Sequence, residues 1–261
     1  MKKRLITAGI AVGMLSPLIS CAQVQPEWKG IFSELEVSPH QMVSTNVISM
    51  MPDSLWHAGL FCYSPGGITE LNKQAIYLQK RIRPKEQLRF YYETRRFNQF
   101  AENTLVVGYS KKYSTTITAG LTMNYQSQKF SNDYWVKSSL LVEPSFLIQF
   151  SNSLNVYSRL SIATLKTAKR IDHLVLAMRY DYSKSIVFNV DAGLSQANSD
   201  CFVGISYFPS EDFKIQLRFG CLSAATVFQF AYIKKQMGFI LGSKYNHALG
   251  LSPFVGITTQ L

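Results

Sequence analysis

From about residue 72 to the end of the chain, apolar and polar side chains alternate with a period of two. Phe213, Ile215, Leu217 and Phe219 alternate with Lys214, Gln216, Arg218 and Gly220. Leu174, Leu176, Met178 and Tyr180 alternate with His173, Val175, Ala177 and Arg179. The same holds for Ile186 to Ser195, for Leu88 to Glu93 and for Ile117 to Tyr125. A helix would repeat every ~3.6 residues, whereas an extended chain sends successive side chains to opposite faces. Each stretch is therefore a strand. One face is aliphatic and often closes on Tyr or Phe; the other carries Arg, Lys, Asn, Gln, Asp, Ser, Thr and Gly.

The pattern predicts thirteen strands, near 72–81, 86–96, 103–110, 115–127, 134–149, 153–164, 170–181, 186–195, 200–208, 212–220, 225–233, 237–245 and 248–260. A soluble sandwich would hide the apolar face inside. A transmembrane barrel turns it toward lipid and keeps the polar face for the lumen. The barrel is favoured. The strands run about 9–13 residues, against about 5–6 in soluble proteins. Aromatic residues such as Tyr109, Tyr125, Tyr180, Tyr182, Tyr207, Phe208, Tyr232 and Tyr245 gather at strand ends, where membrane interfaces place them. A single-chain bacterial barrel has an even number of strands. Residues 41–50 supply the missing strand and make fourteen; otherwise one assignment fails and the number is twelve.

The links alternate as well. Tight polar turns at 111–114, 151–153, 182–185, 209–212 and 234–236 interleave with looser links at 97–102, 128–132, 165–169, 196–199, 221–224 and 246–247. Outer-membrane barrels pair short periplasmic turns with longer outside loops, which assigns the tight set and the carboxyl terminus to the periplasm. Pro144 and Pro253 each remove a ladder donor within a strand, so a bulge or kink is expected at both.

The amino terminus is an address. Lys2, Lys3 and Arg4 precede an apolar run, Leu5 to Leu15, and then Ser20-Cys21-Ala22. Residues 1–22 thus read as a secretory signal peptide, too short to span a membrane. Ordinary cleavage leaves Gln23 first; Leu18-Ile19-Ser20-Cys21 also resembles a lipobox that would lipidate Cys21. Loss of those three cations lowers the net charge from +11 to +8. No later stretch offers a run of about 20 apolar residues, so no transmembrane helix follows. Of 261 residues 47% are hydrophobic and only 16% charged, which excludes a disordered chain. Cys62, Cys201 and Cys221 remain after processing, an odd set that reads as apolar packing residues.

Residues 51–71 break the alternation and read as a short helix or turn leading into a strand. With residues 23–50 they form an amino-terminal segment ahead of the barrel at 72–261. Within it, Ser64-Pro65-Gly66-Gly67-Ile68 resembles the Asn-Pro-Ala-Gly element of Bacteroidetes outer-membrane barrels of the PorV/PorQ-like group, and more distantly of the fatty-acid transporter barrels. It departs from that element at Ser64 and Gly66. The ending Tyr245-Asn246-His247-Ala248-Leu249-Gly250-Leu251-Ser252-Pro253 is similar to the last hairpin of short members of the group. The resemblance implies about fourteen strands and an amino-terminal plug, tucked into or under the lumen, that includes Ser64, Pro65, Gly66 and Gly67.

Enzyme signatures are absent: there is no Gly-x-Ser-x-Gly, Walker loop or His-Glu-x-x-His. His40, His57, His173 and His247 have no metal-ligand spacing, so no metal or cofactor is expected. Asp172 and His173 are adjacent and face opposite sides, and nothing fixes a nucleophile beside them. The polar parity supplies a charged inward set: Arg89, Glu93, Arg95, Arg159, Arg179, Asp181, Asp191, Lys214, Arg218 and Lys244. Such a set either binds an anionic or acidic partner or pairs internally to hold the barrel rigid. Nucleic acid is not expected, for no recognition module accompanies the charge. The resemblance implies a non-enzymatic outer-membrane barrel of bacteria, surrounded by lipid and serving a secretion or assembly machine through other outer-membrane or periplasmic proteins. The alternative is passage or binding of a small hydrophobic or anionic solute; a lipid-modifying enzyme is a weaker third.

Overall fold

The computed structural model describes residues 56–68, 72–97, 100–130, 136–164, 169–195, 199–221, 225–234, 237–247 and 250–260. The described residues form fourteen strands: β1 (Trp56–Tyr63), β2 (Lys73–Arg83), β3 (Glu86–Phe97), β4 (Phe100–Lys112), β5 (Ile117–Phe130), β6 (Val136–Gln149), β7 (Leu154–Thr164), β8 (Lys169–Asp181), β9 (Ile186–Ser195), β10 (Ser199–Ser210), β11 (Phe213–Gly220), β12 (Thr226–Lys234), β13 (Met237–Asn246) and β14 (Gly250–Gln260). Each pairs antiparallel with its sequence neighbours, and β1 pairs with β14, so the sheet closes into a barrel. Closure leaves no strand edge with unpaired backbone groups, which is the condition for strands to cross a bilayer. At ~3.4 Å per residue and a tilt near 40°, an 11-residue strand climbs about 28 Å, enough to cross the hydrocarbon.

Burial is inverted relative to a soluble protein. Leu60, Met123, Leu241 and Val255 are 59%, 53%, 62% and 49% exposed, whereas Gln79, Arg89, Glu93, Lys214 and Gln229 are all 2% exposed or less. The exposed aliphatic and aromatic residues belong to one parity of the alternation on strand after strand. Monomeric soluble proteins rarely expose more than a few hundred Å² of contiguous apolar surface. A continuous apolar wall around a polar interior is stable only with acyl chains outside it. None of the described helices is long and apolar enough to cross a membrane; the strands do so instead.

The fourteenth strand is not the one expected. Among the described residues it is Trp56–Tyr63, and the segment 41–50 lies outside them. Register places His57, Gly59, Phe61 and Tyr63 inward, against Gln79, Tyr77, Ala75 and Lys73 of β2. Apart from the inward His57, both parities of β1 are apolar or small, Trp56-Ala58-Leu60-Cys62 outside and Gly59-Phe61-Tyr63 inside, so no alternation is visible in the sequence. Residues 56–63 therefore belong to the barrel wall, and the wall begins before residue 72.

The links also differ in detail. The turns 84–85, 113–116, 150–153, 182–185 and 211–212 lie at the end that holds the carboxyl terminus of β14, as the alternation of strand directions requires. At the opposite end, the supposed loose link 97–102 is mostly strand, since Phe97 pairs with Phe100 and Arg95 with Glu102. Neither Pro144 nor Pro253 shifts the register: Leu121↔Pro144 and Ser243↔Pro253 continue their ladders, while the β6–β7 ladder skips Glu143 and Pro144 and resumes in register at Ser145↔Arg159. An antiparallel residue's N–H points to one neighbour only, so a proline deletes one bond without adding a residue. The shifts fall instead at Arg81/Arg83, Ser161/Ile162 and Tyr207/Ser210.

Candidate functional site: the barrel interior

The inner wall is built from the parity opposite to the lipid-facing rows. All ten charged residues singled out above sit on that parity. Arg89, Glu93, Arg159, Lys214 and Arg218 are buried, and Arg95, Arg179, Asp181 and Asp191 are less so. Lys244 pairs with Val227 and Ser252, both buried, and so shares their face.

These residues fall into separate groups rather than one constellation. At the loop end of β2–β5, Lys73 Nζ donates to Glu93 Oε1 at 2.9 Å and lies 3.8 Å from Glu102. Arg95 Nη2 stands 2.8 Å from Glu102, Gln128 Nε2 donates to Glu102 at 3.1 Å, and the Tyr91 hydroxyl donates to Glu93 Oε2 at 2.6 Å. On β6–β7, Glu143 accepts from Ser161 Oγ at 2.6 Å and faces Arg159 at 3.8 Å. Arg179 and Asp181, two apart on β8 and hence on one face, pair at 2.8 Å. Arg89 and Lys214 line the wall elsewhere. Taking these charges out of water is costly unless they are paired, which is why each inward carboxylate named here has a cation beside it.

The Asp191–Arg218 pair shows how the sheet permits one such contact. Asp191 is on β9 and Arg218 on β11, with β10 between them. Arg218 pairs directly with Gly204 of β10. A Cβ at residue 204 would fall 2.6 Å from Arg218 Cγ. Glycine there lets the arginine lie across β10 and reach the aspartate, with its guanidinium 5.3 Å from the Phe202 ring.

Part of the interior is apolar, which the sequence analysis missed. Phe61, Ala75, Tyr77, Tyr91, Val106, Val187, Phe208, Val227, Ala231, Ile240 and Phe254 form one contiguous cluster, with Tyr63 packed against it. Its members come from β1–β4 as well as from β9, β10 and β12–β14, so it joins widely separated parts of the wall. Two rings occupy the space over glycines of paired strands: a Cβ at residue 242 would be 2.3 Å from Phe254 Cζ, and one at residue 256 would be 2.4 Å from Phe61 Cδ1. His57 meets Tyr77 edge to face at 5.6 Å, Tyr77 donates to Gln79, and Gln79 donates to Gln87 at 2.6 Å. Among the described residues no group of three or more His, Cys, Asp or Glu is placed to hold a metal.

Lys73, Glu102 and Glu143 were also missed. Glu102 lay in a supposed loop, and Glu143 sits in Leu140-Leu141-Val142-Glu143-Pro144, where both parities are apolar and the alternation fails. Counting inward parity from register, rather than from hydropathy, would have found both.

Ser64-Pro65-Gly66-Gly67 forms a 3-10 turn between β1 and β2, with Pro65 buried. The Ser64 N–H donates to the Pro253 carbonyl at 2.9 Å and the Gly66 N–H to Ser252 Oγ at 2.8 Å. Gly66 and Gly67 hold φ at 62° and 70°, which glycine adopts without strain. Residues 23–55, including any plug formed by them, lie outside the described residues, as do residues 1–22, read above as a signal peptide, with Cys21.

No family model and no curated protein matches the chain. Solved structures do. The toluene transporter TbuX of Ralstonia pickettii superposes with a TM-score of 0.63 at 6% identity, over 86% of this chain and 94% of that one. The Acinetobacter baumannii outer membrane protein Omp33 gives 0.58 at 6% identity, over 80% and 98%. The toluene transporter TodX of P. putida gives 0.55 at 8% identity, over 84% and 92%. This chain is a bacterial outer-membrane β-barrel. At such identities the likeness is one of fold, and it agrees with the inverted burial and the closed fourteen-strand sheet.

Proposed function

We propose that the barrel passes or binds a small, largely hydrophobic solute in its lumen and is not an enzyme. The observation that carries this reading is the apolar cluster inside the wall. A lumen that only had to be filled with water or braced by ion pairs would be polar throughout. Here Phe61, Tyr77, Tyr91, Val106, Ile240 and Phe254 offer aromatic and aliphatic surface next to hydrogen-bonding groups, the composition of small-molecule sites. Two of the fold neighbours, TbuX and TodX, are toluene transporters, which supports the same class of cargo. A second reading, an anionic solute, is favoured by the inner face itself: among the described residues Lys and Arg outnumber Asp and Glu there. The secretion-accessory role implied by Ser64–Ile68 and the last hairpin gains no support from the interior, and passage is the better reading.

The test is uptake by cells whose outer leaflet is lipopolysaccharide, with and without the barrel. Labelled toluene should enter faster with it, a small neutral sugar should not, and Ile240→Trp should return toluene uptake toward the barrel-free rate. Equal toluene rates with and without the barrel would overturn the hydrophobic reading. A selective gain for a small organic anion would replace it with the second.

A further inference from the structure

The ladder between β10 and β11 continues past its last strand pair, Phe202↔Gly220. One step further the Cys221 N–H donates to the Cys201 carbonyl at 2.6 Å. The two cysteines therefore face each other as a hydrogen-bonded antiparallel pair, for which Cα atoms stand about 5.5 Å apart. A disulfide spans Cα separations of about 4.4–6.8 Å, and closing it requires the two Cβ atoms to draw in from about 5.5 Å to about 4.5 Å or less, a local adjustment at the end of the ladder. Residues directly opposite in a sheet project to the same side. Phe202 is buried on the inner face, while Val203 and Phe219 are exposed on the outer one; by parity Cys201 and Cys221 project outward with the latter. Cys221 is exposed and Cys201 half-buried at the loop-end rim. Both rims of an outer-membrane barrel meet only compartments outside the cytosol, where disulfides form and persist.

We propose that Cys201 and Cys221 form a cross-strand disulfide that staples β10 to β11 where the chain turns toward β12. The oxidant is the disulfide of an extracytoplasmic thiol–disulfide oxidoreductase. The Cys221 thiolate attacks one sulfur of that disulfide, giving a mixed disulfide and releasing one oxidoreductase thiol. The Cys201 thiolate then attacks the Cys221 sulfur and releases the second. Two protein thiols become one disulfide, and two electrons and two protons leave on the reduced oxidoreductase. Cys62, on β1 and several strands away around the wall, stays a thiol.

The full-length protein, exported to the outer membrane, is trapped with N-ethylmaleimide before lysis and digested with trypsin without reductant. The cysteines fall in different peptides: Cys201 within 185–214, Cys221 within 219–234 and Cys62 upstream of Lys73. The expected result is a linked 185–214/219–234 species, two hydrogens lighter than its parts, with maleimide on Cys62 alone. Maleimide on all three cysteines, or a link that includes Cys62, would overturn the proposal. In a heat-modifiability gel, reductant should lower the unfolding temperature of the wild-type barrel and leave the Cys201→Ser/Cys221→Ser variant unchanged. A linked pair whose reduction leaves the wild-type temperature unchanged would overturn the stapling role.

Discussion

The inside-out assignment of the wall predicts a large penalty for one charge on its outer surface. Leu241 lies midway along β13 and is 62% exposed on the outer parity. Its ladder partners are Phe230 and Val255. None of these offers a polar group, so an arginine at residue 241 would meet acyl chains on one side and apolar side chains on the other. In a transmembrane barrel, Arg at the bilayer midplane costs about 2–4 kcal/mol, falling to about 0–1 kcal/mol near the interfaces. Leu241→Arg should therefore shift the folding equilibrium by roughly 30- to 900-fold. Tyr245 is four residues nearer the loop end on the same parity and is also exposed. Tyr245→Arg should cost about 1 kcal/mol or less. Both are measured by reversible denaturant unfolding in phospholipid vesicles, with wild type alongside. If the outer face met water, Leu241→Arg would be close to neutral. A cost for Leu241→Arg no greater than that for Tyr245→Arg refutes the reasoning.

Two further predictions use the same assay. Asp191→Asn should cost about 1–3 kcal/mol by removing the charge that Arg218 meets across β10. Gly204→Ala should cost about 1–3 kcal/mol by pushing Arg218 off β10. Because both act on one contact, the double variant should lose clearly less than the sum; additive losses would contradict the placement of Arg218 over Gly204. Gly250 begins β14 at φ 73° with nothing within 4 Å of a built Cβ, so Gly250→Ala isolates the backbone cost of that conformation, about 1–2 kcal/mol. Gly250→Asn should recover part of it, and equal losses for both would argue against a backbone origin.

Thirteen of the fourteen strands were visible in the sequence because each inward-facing polar row is a local property: neighbours on opposite faces of one strand meet different solvents. The inward parity of Arg89, Lys214 or Arg218 follows from that alternation alone. β1 was invisible for the converse reason, since its inner residues other than His57 are apolar or small and a single histidine makes no row. The loose link at 97–102 was misread because strand-end residues such as Glu102 are chosen for their partners Lys73 and Arg95, not for a face.

By itself, then, the sequence determined a sheet of long two-faced strands and the sorting of side chains between lipid and interior, since both depend on spacing along one strand. The tertiary structure alone decided which inward residues meet. Register across several strands brings Asp191 to Arg218 over Gly204, sets Cys201 opposite Cys221, seals β1 against β14 and gathers an apolar cluster from separate parts of the wall. These are contacts between residues far apart in the chain, and only the closure of the barrel fixes their distances.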